Sequence, residues 1–378
     1  MIKKKLLVFH KALAPYRIDL FNRLSEMFET DIYFFNKNMS SQNFDMNTLE
    51  SQLNFKPKFL THGFDLHHKG RVIRFGYLKK IIEHKPNLII CLEYSTITFT
   101  IALFAKLIYP KVKIYSICDD SVDVARNSSK SRKIGRFLCL KLLDGIILGN
   151  DFAGEWYKLN FPKVKTVVSP IIQKEERIVS ILNDAQPITQ EYIQRYNLES
   201  KNVLLFVGRL VEVKNLNFLL EVFSQYASTN NNVVLILVGD GDKKNELLDL
   251  AINLEIQEKV IFAGRFEHNE LYAWYRIADY FILPSTSETF GAVVNESLIA
   301  GVPVLCSDLA GASSLINDKN GITFSPFNKE KLLSIFNDVF SKDKDFMPKP
   351  YKIHSLMPYT FNQRISDLIS FLVDDKSE

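Results

Sequence analysis

The stretch Pro284-Ser-Thr-Ser-Glu-Thr-Phe-Gly-Ala-Val-Val-Asn-Glu296 decides the fold of this 378-residue chain. A short apolar strand is predicted just before it, at residues 280–283, and a helix just after its Phe-Gly turn. In an α/β protein this order places Glu288 on the loop at the carboxyl end of a strand and Glu296 inside the next helix. The first-turn N–H groups of that helix form a site for a phosphate. A phosphate with hydroxyl-bearing groups on either side of it indicates a sugar nucleotide.

Strand-like and helix-like patterns alternate along the whole chain. The predicted strands cover residues 5–9, 31–35, 88–92, 112–117, 145–148, 165–168, 203–207, 233–238, 260–263, 280–283 and 304–306. Such alternation predicts parallel sheets covered by helices on both faces. A polar connection near residues 170–176 interrupts it, so we predict two Rossmann-like, doubly wound α/β domains, residues 1–173 and 174–359, facing each other across a ligand cleft. A last helix, within residues 360–378, could pack back on the first domain.

The bulk composition, 47% apolar, is that of a globular protein with an ample core. No apolar run reaches the roughly 18 residues needed to span a bilayer, and the basic start of the chain precedes too short an apolar segment for a signal peptide. The cysteines show no metal-binding or redox spacing, so we expect buried free thiols in a reducing cytoplasm: Cys91, Cys118, Cys139 and Cys306.

Charge differs strongly between the two halves. Residues 1–173 carry 27 Lys and Arg against 15 Asp and Glu, whereas the rest carries 20 against 28. The halves are therefore expected to meet different partners. No recognition motif or Arg-rich arm supports nucleic acid, so an anionic membrane surface or a phosphorylated lipid is the better partner for the basic half.

The strand end at residues 203–207 is followed by Gly208, Arg209 and, five positions later, Lys214. Glycine permits a sharp exit from the strand, and the two cations could clamp a diphosphate from both sides. Taken alone, an arginine and a lysine in a loop are usually solvated.

Two further strand ends carry glycines. Gly239 and Gly241 flank an aspartate in a turn whose lack of side chains would let a ligand approach the backbone, although Gly-Asp-Gly is also simply a good turn. After the next strand, Arg265 and Phe266 could meet a flat base, while a turn with a core phenylalanine explains them equally well.

In this order and spacing the motifs resemble the C-terminal domain of the family-4 type retaining glycosyltransferases, which have the GT-B fold and include bacterial surface-polysaccharide and lipopolysaccharide enzymes. The Leu-Pro-Ser before Glu288 and the Gly301-Val-Pro-Val after Glu296 belong to the same pattern. The resemblance is dense over roughly residues 200–325.

The resemblance implies roles for the donor site. Arg209 and Lys214 would neutralise the donor diphosphate without a metal ion, Glu296 would bind the ribose hydroxyls and Glu288 the hydroxyls of the donor sugar. The remaining donor-binding candidates are the glycines and the backbone amides beside the phosphate, with the base-binding pair: Gly208, Gly239, Gly241, Phe290, Gly291, Ala292, Arg265 and Phe266. No cofactor is expected, because the nucleotide sugar is a substrate.

The chemistry implied is transfer with retention of anomeric configuration. Breaking the anomeric bond places negative charge on the departing diphosphate, where fixed cations and a helix N-terminus stabilise the transition state. The acceptor attacks the face that the leaving group vacates, and a leaving phosphate oxygen takes its proton. No strong protein nucleophile is required.

The acceptor site is expected in the first domain. Arg17, in a Pro-Tyr-Arg sequence that resembles one subgroup of surface-polysaccharide transferases, could reach a phosphate or be a surface residue. Glu93, Asp119 and Asp120 follow strands and should lie at the cleft edge of the sheet. An aspartate could orient or deprotonate an acceptor hydroxyl, but turn and cap roles compete. A metal site at the aspartates is the weaker alternative, because the cationic clamp already neutralises the diphosphate.

A basic amphipathic helix is predicted at residues 130–143, with five cations beside Phe137, Leu138 and Leu142. A shorter apolar and basic patch occupies residues 107–113. Either is commonly a solvated helix face, but both suit an anionic membrane. We therefore expect peripheral contact with the inner face of the cytoplasmic membrane and an acceptor on a polyprenyl diphosphate or glycolipid.

These observations predict a hexose transferase that uses a UDP-sugar to extend a cell-surface polysaccharide, capsule or lipopolysaccharide. Two alternatives stay open at this point: a UDP-sugar epimerase of related fold, and a non-catalytic subunit that binds sugar nucleotides.

Overall fold

The computed structural model describes residues 3–38, 44–60, 62–66, 71–340 and 353–373. The chain divides into two compact units, one of Met1–Gln173 with Asn362–Glu378 and the other of Lys174–Phe361. Each unit is built around one parallel β-sheet.

The strands of the first unit are β1 (Lys5–His10), β2 (Glu29–Phe34), β3 (Lys58–Phe59), β4 (Gly63–Leu66), β5 (Arg71–Arg74), β6 (Leu88–Leu92), β7 (Lys113–Cys118), β8 (Gly145–Leu148) and β9 (Thr166–Val168). Its helices are α1 (Ile18–Met27), α2 (Met46–Ser51), α3 (Tyr77–His84), α4 (Thr96–Ile108), α5 (Val122–Asn127), α6 (Lys130–Leu140) and α7 (Asp151–Asn160). Seven strands form the parallel sheet in the order β3-β2-β1-β6-β7-β8-β9, while β4 and β5 pair antiparallel.

The second unit begins with two helices, α8 (Glu175–Asp184) and α9 (Gln186–Arg195). Its strands are β10 (Asn202–Val207), β11 (Val233–Val238), β12 (Val260–Gly264), β13 (Tyr280–Leu283), β14 (Val304–Ser307) and β15 (Gly321–Phe324). Its further helices are α10 (Leu216–Thr229), α11 (Lys244–Asn253), α12 (His268–Ile277), α13 (Ala292–Ile299) and α14 (Lys329–Val339). The sheet order is β12-β11-β10-β13-β14-β15, so the winding direction reverses between β10 and β13.

Both sheets are covered on both faces. Leu204, Leu205 and Phe206 in β10 have no exposed surface although their side chains alternate between the faces. In each unit the first strand lies in the interior of the sheet, so the winding reverses beside it. Such a reversal leaves a crevice at the carboxyl ends of the strands, where α/β proteins bind ligands.

The last helix, α15 (Phe361–Val373), packs on the first unit. The ring of Phe371 lies 5.3 Å from that of Tyr115, and an ion pair of 3.4 Å joins Arg364 to Asp151.

The predicted architecture of two parallel-sheet, Rossmann-like domains is confirmed, and every predicted strand is present. Sequence reasoning missed the short β3, the β4–β5 pair, β15 and the α8–α9 pair. The polar connection is shorter than predicted, because α8 already begins at Glu175. Two acidic residues in its first turn favour that start, and Ile178 and Leu182 bury its apolar side.

The structure also bears on the cysteines and on the apolar character of the helices. The four cysteines are buried and unpaired, as predicted. In the part of the chain that the structure describes, no helix combines the length and apolar character needed to cross a bilayer.

Candidate active site

The reversal between β10 and β13 brings two distant loops together. The loop after β10 carries Lys214, and the loop after β13 carries Glu288. Lys214 Nζ donates to Glu288 Oε2, and the two side chains are only 13% and 20% exposed. The loops are also joined by a backbone hydrogen bond of 2.9 Å from Thr286 N to Val213 O. The sequence prediction that these charged residues share one sheet edge is thus matched by direct contact.

Glycines allow the loops after β10 and β11 to touch. A Cβ at Gly239, whose φ is +148°, would lie 1.8 Å from the carbonyl oxygen of Gly208, and one at Gly241 would lie 2.2 Å from that of Leu210. The Gly-Asp-Gly turn therefore has a packing reason of its own, namely its backbone contact with the neighbouring loop. Arg209 lies exposed on the loop after β10.

The start of α13 is held from one side by a later segment. Gly311 N donates to Glu288 O at 3.1 Å, and Ala312 N donates to Phe290 O at 2.7 Å. Phe290 is buried, and Gly291 adopts a left-handed φ of +97° directly before the helix begins at Ala292. These hydrogen bonds fix the turn beside the predicted phosphate site. The backbone N–H groups of that site belong to the first turn of α13, at its N-terminus.

Glu296 lies one turn into α13 and contacts a residue that sequence reasoning missed. The hydroxyl of Tyr275 donates to Glu296 Oε2 at 2.9 Å. Tyr275 is completely buried in α12, inside the aromatic run Tyr-Ala-Trp-Tyr, where it resembles an ordinary core residue. The sequence offered no signal that would single it out.

The two predicted base-binding residues differ in environment: Arg265 is exposed, whereas Phe266 packs against other aromatic rings. Arg265 pairs with Glu267 at 2.5 Å on the surface. Phe266 is half-buried at the edge of an aromatic cluster, with its ring 5.9 Å from that of Tyr192 and 5.8 Å from that of Trp274. The packing role of Phe266 is established by these contacts, while its role toward a base stays a prediction.

In the first unit, the ends of β1, β6 and β7 bring the acceptor candidates into one charged cluster. Arg17 is 2% exposed and its Nη2 donates to Asp119 Oδ1, so it is not a surface residue. Asp120 is 5% exposed, and Oδ1 of this residue accepts a hydrogen bond of 2.6 Å from Arg132 Nη2. The same guanidinium lies 3.3 Å from Glu93 Oε2. Two arginines therefore hold three carboxylates at this sheet edge.

Arg132 changes the interpretation of the basic helix. The sequence assigned five cations of residues 130–143 to a membrane face, but Arg132 of α6 turns into the carboxylate cluster. Arg132 stays partly exposed, whereas Arg136 is buried: it donates to Ala125 O at 3.0 Å and its guanidinium lies 5.0 Å from the ring of Trp156. Leu142 packs at the edge of the core. Amphipathic spacing alone could not separate these inward-facing residues from the exposed ones.

Glu93 has an unusual backbone conformation for a glutamate, with φ of +51°. It is held there by hydrogen bonds of 2.8 Å from its N–H to Ile117 O and from Ser116 Oγ to its carbonyl oxygen. Burial raises the pKa of its carboxyl, and the positive charge of Arg132 opposes that rise. Left-handed non-glycine residues that are fixed in this way concentrate at functional sites.

His10 lies at the end of β1 beneath the cluster. Its Nδ1–H donates to Ala12 O at 3.0 Å, and its ring meets those of Phe21 and Phe34 edge-on. Burial, followed by the positive charge of Arg17, lowers the pKa of His10 from 6.5 to about 4. The imidazole is therefore neutral near pH 7.

Two helices of the first unit that pack together, α4 and α6, leave large apolar side chains exposed. We call this set the α4–α6 apolar surface: Leu103, Leu107, Ile108, Ile134, Phe137 and Leu138. Exposed lysines accompany it at Lys130, Lys133 and Lys141, the last lying 4.4 Å from the ring of Phe137. Among the described residues, no group of three or more His, Cys, Asp or Glu side chains is arranged to hold a metal ion.

A family model described as Glycosyl transferases group 1 matches residues 189–349. The chain is 38% identical across 121 residues to the alpha-monoglucosyldiacylglycerol synthase of Streptococcus pneumoniae, covering 32% of this chain and 27% of that protein. It is 34% identical across 161 residues to the lipopolysaccharide 1,2-N-acetylglucosaminetransferase of Salmonella typhimurium, covering 39% and 40%.

A third relative is the N-acetylgalactosamine-N,N'-diacetylbacillosaminyl-diphospho-undecaprenol 4-alpha-N-acetylgalactosaminyltransferase of Campylobacter jejuni. It is 31% identical across 171 residues, which cover 45% of each chain. The chain spans between 27% and 45% of the length of these three curated relatives.

Similarity in structure extends over the whole chain. Anabaena Alr3699/HepE in complex with UDP superposes with a TM-score of 0.71 at 17% identity, covering 98% of this chain and 96% of that one. A glycosyltransferase from Rickettsia africae superposes with a TM-score of 0.72 at 15% identity, covering 99% and 100%. The chain therefore has the GT-B fold of two Rossmann-like domains, and it carries in residues 189–349 a domain of the glycosyl transferases group 1 family.

Proposed function

We propose that this protein is a retaining, metal-independent glycosyltransferase that moves a hexose-type sugar from a UDP-sugar to a hydroxyl of a growing, lipid-linked cell-surface glycan. The observation that carries the proposal is the pairing of Lys214 with Glu288 at the β10–β13 reversal, directly before the start of α13. The cation and the helix N-terminus suit the negative charge of a diphosphate, and the carboxylate beside them suits the hydroxyls of the sugar.

The pair explains how the donor would be bound and activated. Without donor, Lys214 and Glu288 satisfy each other's charge. With donor, the ammonium of Lys214 and the exposed guanidinium of Arg209 would turn to the diphosphate, and the carboxylate of Glu288 would accept hydrogen bonds from sugar hydroxyls. Because negative charge grows on the leaving diphosphate, these cations stabilise the transition state more than the bound donor.

The acceptor would lie at the carboxylate cluster of the first unit. Asp119 and Glu93 are its more exposed members, with side chains 26% and 38% exposed, and Arg17 and Arg132 supply their counter-charges. Carboxylates held in this way suit the hydroxyls of a sugar better than a phosphate. We therefore assign them to orienting the acceptor hydroxyl, while a leaving phosphate oxygen takes its proton.

The lipid-linked acceptor is supported by the relatives and by the surface of the first unit. The name of the Campylobacter relative contains a diphospho-undecaprenol, and the pneumococcal relative is named for a glucosyldiacylglycerol. The α4–α6 apolar surface, with its exposed lysines, suits the inner face of the cytoplasmic membrane, whose anionic headgroups attract cations.

The first experiment is a panel of UDP-, GDP- and ADP-sugars, tested for thermal stabilisation and then for release of nucleoside diphosphate with glycan acceptors. A ligand that binds the folded state raises the melting temperature. We expect a UDP-sugar to stabilise the protein, and UDP to be released only when acceptor is present, in EDTA as well as in Mg²⁺. An isomerised donor without UDP release would indicate an epimerase instead.

A single substitution tests whether the protein is a catalyst. Glu288→Ala should abolish turnover while UDP still binds, because the carboxylate meets the sugar and not the nucleotide. Binding without any turnover in the wild-type protein, across the acceptor panel, would indicate a non-catalytic sugar-nucleotide-binding subunit. Unchanged turnover in Glu288→Ala would overturn the role given to that residue.

A further inference from the structure

The structure assigns to Tyr275 a positioning role: its hydroxyl holds the carboxylate of Glu296 in the orientation that accepts hydrogen bonds from the donor ribose. This inference rests on the proposed function, which places the ribose at Glu296. It adds that the preference for ribose over deoxyribose depends on a residue that does not touch the nucleotide.

The geometry joins two helices at the donor site. Tyr275 lies on α12 and Glu296 on α13, and the hydroxyl of Tyr275 is 2.9 Å from Glu296 Oε2. The tyrosine ring is itself fixed, with its centre 5.8 Å from the ring of Tyr272 and 5.9 Å from that of Phe281. A donor on a fully buried, packed ring defines a direction that a flexible glutamate side chain does not have by itself.

The hydroxyl can act only as a donor toward the carboxylate. Burial, followed by the negative charge of Glu296, raises the pKa of Tyr275 well above its usual value, so the phenol stays protonated. Its other neighbour, the carbonyl oxygen of Val293, is at 3.5 Å and thus at the limit of hydrogen bonding. The single proton therefore goes to Glu296.

The hydrogen bond from Tyr275 does not by itself exclude a ligand from Glu296. A carboxylate has two oxygens with about four acceptor positions, and one phenol hydroxyl fills a single position. Glu296 is partly exposed, as are Ala292 and Val293 on the same side of α13. Glu296 lies four residues from Ala292, or about 6 Å along the helix from the predicted phosphate site. A ribose joined to a phosphate at the helix start would reach this carboxylate.

The inference is tested with nucleoside diphosphates and their 2′-deoxy forms. The nucleotide among UDP, ADP and GDP that stabilises the protein most is titrated calorimetrically, and so is its 2′-deoxy counterpart. The ratio of their dissociation constants measures recognition of the 2′-hydroxyl. In the wild-type protein we expect a ratio of about ten or more, the value of a hydrogen bond to a charged group.

Tyr275→Phe removes only the hydroxyl. We expect the ratio to fall by about threefold or more, because the carboxylate loses its fixed orientation, while the 2′-deoxy nucleotide binds within about twofold of its wild-type affinity. In Glu296→Ala the ratio should fall close to one, and adding Tyr275→Phe to that variant should change it no further. Tyr226→Phe is the matched control, a buried tyrosine of the same unit that packs on Phe336 and Phe340.

The outcomes separate the inference from the proposed function. A Tyr275→Phe protein that melts lower but keeps the wild-type ratio would overturn the inference, since its hydroxyl would then serve stability alone. If Glu296→Ala also keeps the ratio, the ribose assignment behind the proposed function fails. If no nucleoside diphosphate binds, both fail.

Discussion

Lys214 donates a hydrogen bond from Nζ to Oε2 of Glu288, across the reversal of winding between β10 and β13. The two residues are 74 positions apart in the chain. Lys214 lies in the loop after β10 and Glu288 in the loop after β13, and these two strands are parallel neighbours in the sheet. Both side chains are largely buried, so each charge depends on the other for compensation. A bound diphosphate would replace the carboxylate as the partner of the lysine.

Replacing Lys214 by methionine should weaken nucleotide binding. A hydrogen bond between charged groups contributes about 1.5–3 kcal/mol, so we expect the dissociation constant of UDP, measured by calorimetry, to rise about tenfold or more. Lys329→Met is the matched control, because Lys329 pairs with Glu221 at 2.5 Å on the exposed side of the same unit. Equal affinities in the two variants would contradict a role for Lys214 in binding the diphosphate.

Gly239→Ala should disrupt the donor site more than Gly264→Ala, although both glycines have positive φ. The left-handed conformation costs an alanine about 1–2 kcal/mol at either position. Only at Gly239 would the new Cβ also collide with a backbone atom, whereas at Gly264 no heavy atom lies within 4 Å. Urea unfolding should show the larger loss for Gly239→Ala, together with weaker UDP binding. Similar losses in both variants would mean that the two loops separate easily.

The placement of the proposed donor-site residues could be predicted because parallel strands bring their loops to one edge. The chain order and the strand ends together place Arg209, Lys214 and Glu288 at neighbouring positions without any knowledge of side-chain packing. Tyr275 could not be predicted in this way, because its contact with Glu296 depends on how two helices pack against each other.

The first unit was harder to predict for the same reason. Amphipathic spacing identified the helix that became α6, but it could not show that Arg132 and Arg136 point inward. Helical periodicity defines a face only relative to its neighbours, and the carboxylates that attract Arg132 lie on other elements. Tertiary contacts therefore turn two of the five cations of this helix inward and leave the other three, Lys130, Lys133 and Lys141, on the exposed side.

Arg132→Met should destabilise the first unit by leaving the carboxylate of Asp120 unpaired. Asp120 is almost fully buried, and an unsatisfied buried charged group costs about 2 kcal/mol or more. Urea unfolding should show this loss for Arg132→Met and its partial recovery in Arg132→Met combined with Asp120→Asn. Lys133→Met, the exposed neighbour, should be neutral. If Asp120→Asn fails to compensate, the two charges are not coupled.

The α4–α6 apolar surface predicts binding to anionic vesicles. Phe137→Glu places a negative charge on this surface, and it should strongly reduce sedimentation with vesicles that contain phosphatidylglycerol. Leu159→Glu is the control, since Leu159 is an even more exposed apolar residue on another helix, α7. Binding of the wild-type protein should fall in high salt and with neutral phosphatidylcholine vesicles. Equal loss in both variants would point to general adhesion rather than to this surface.

His10 should make the protein less stable in mild acid. Its pKa is about 4 in the folded protein and 6.5 as the unperturbed value, so the unfolded chain takes up a proton first as the pH falls. The free energy of unfolding is unaffected by this group above pH 6.5 and falls progressively toward pH 4, where the loss amounts to about 3 kcal/mol.

The measurement is urea unfolding of the wild-type protein and of His10→Asn at several pH values between 7 and 4.5. An asparagine can still donate to the carbonyl oxygen of Ala12, but it does not titrate. We expect His10→Asn to be less stable near pH 7, because it loses packing against Phe21 and Phe34. Its stability should nevertheless fall less steeply with acid than that of the wild-type protein. Parallel curves would mean that His10 accepts its proton equally well in the folded and in the unfolded chain, so that neither burial nor Arg17 lowers its pKa.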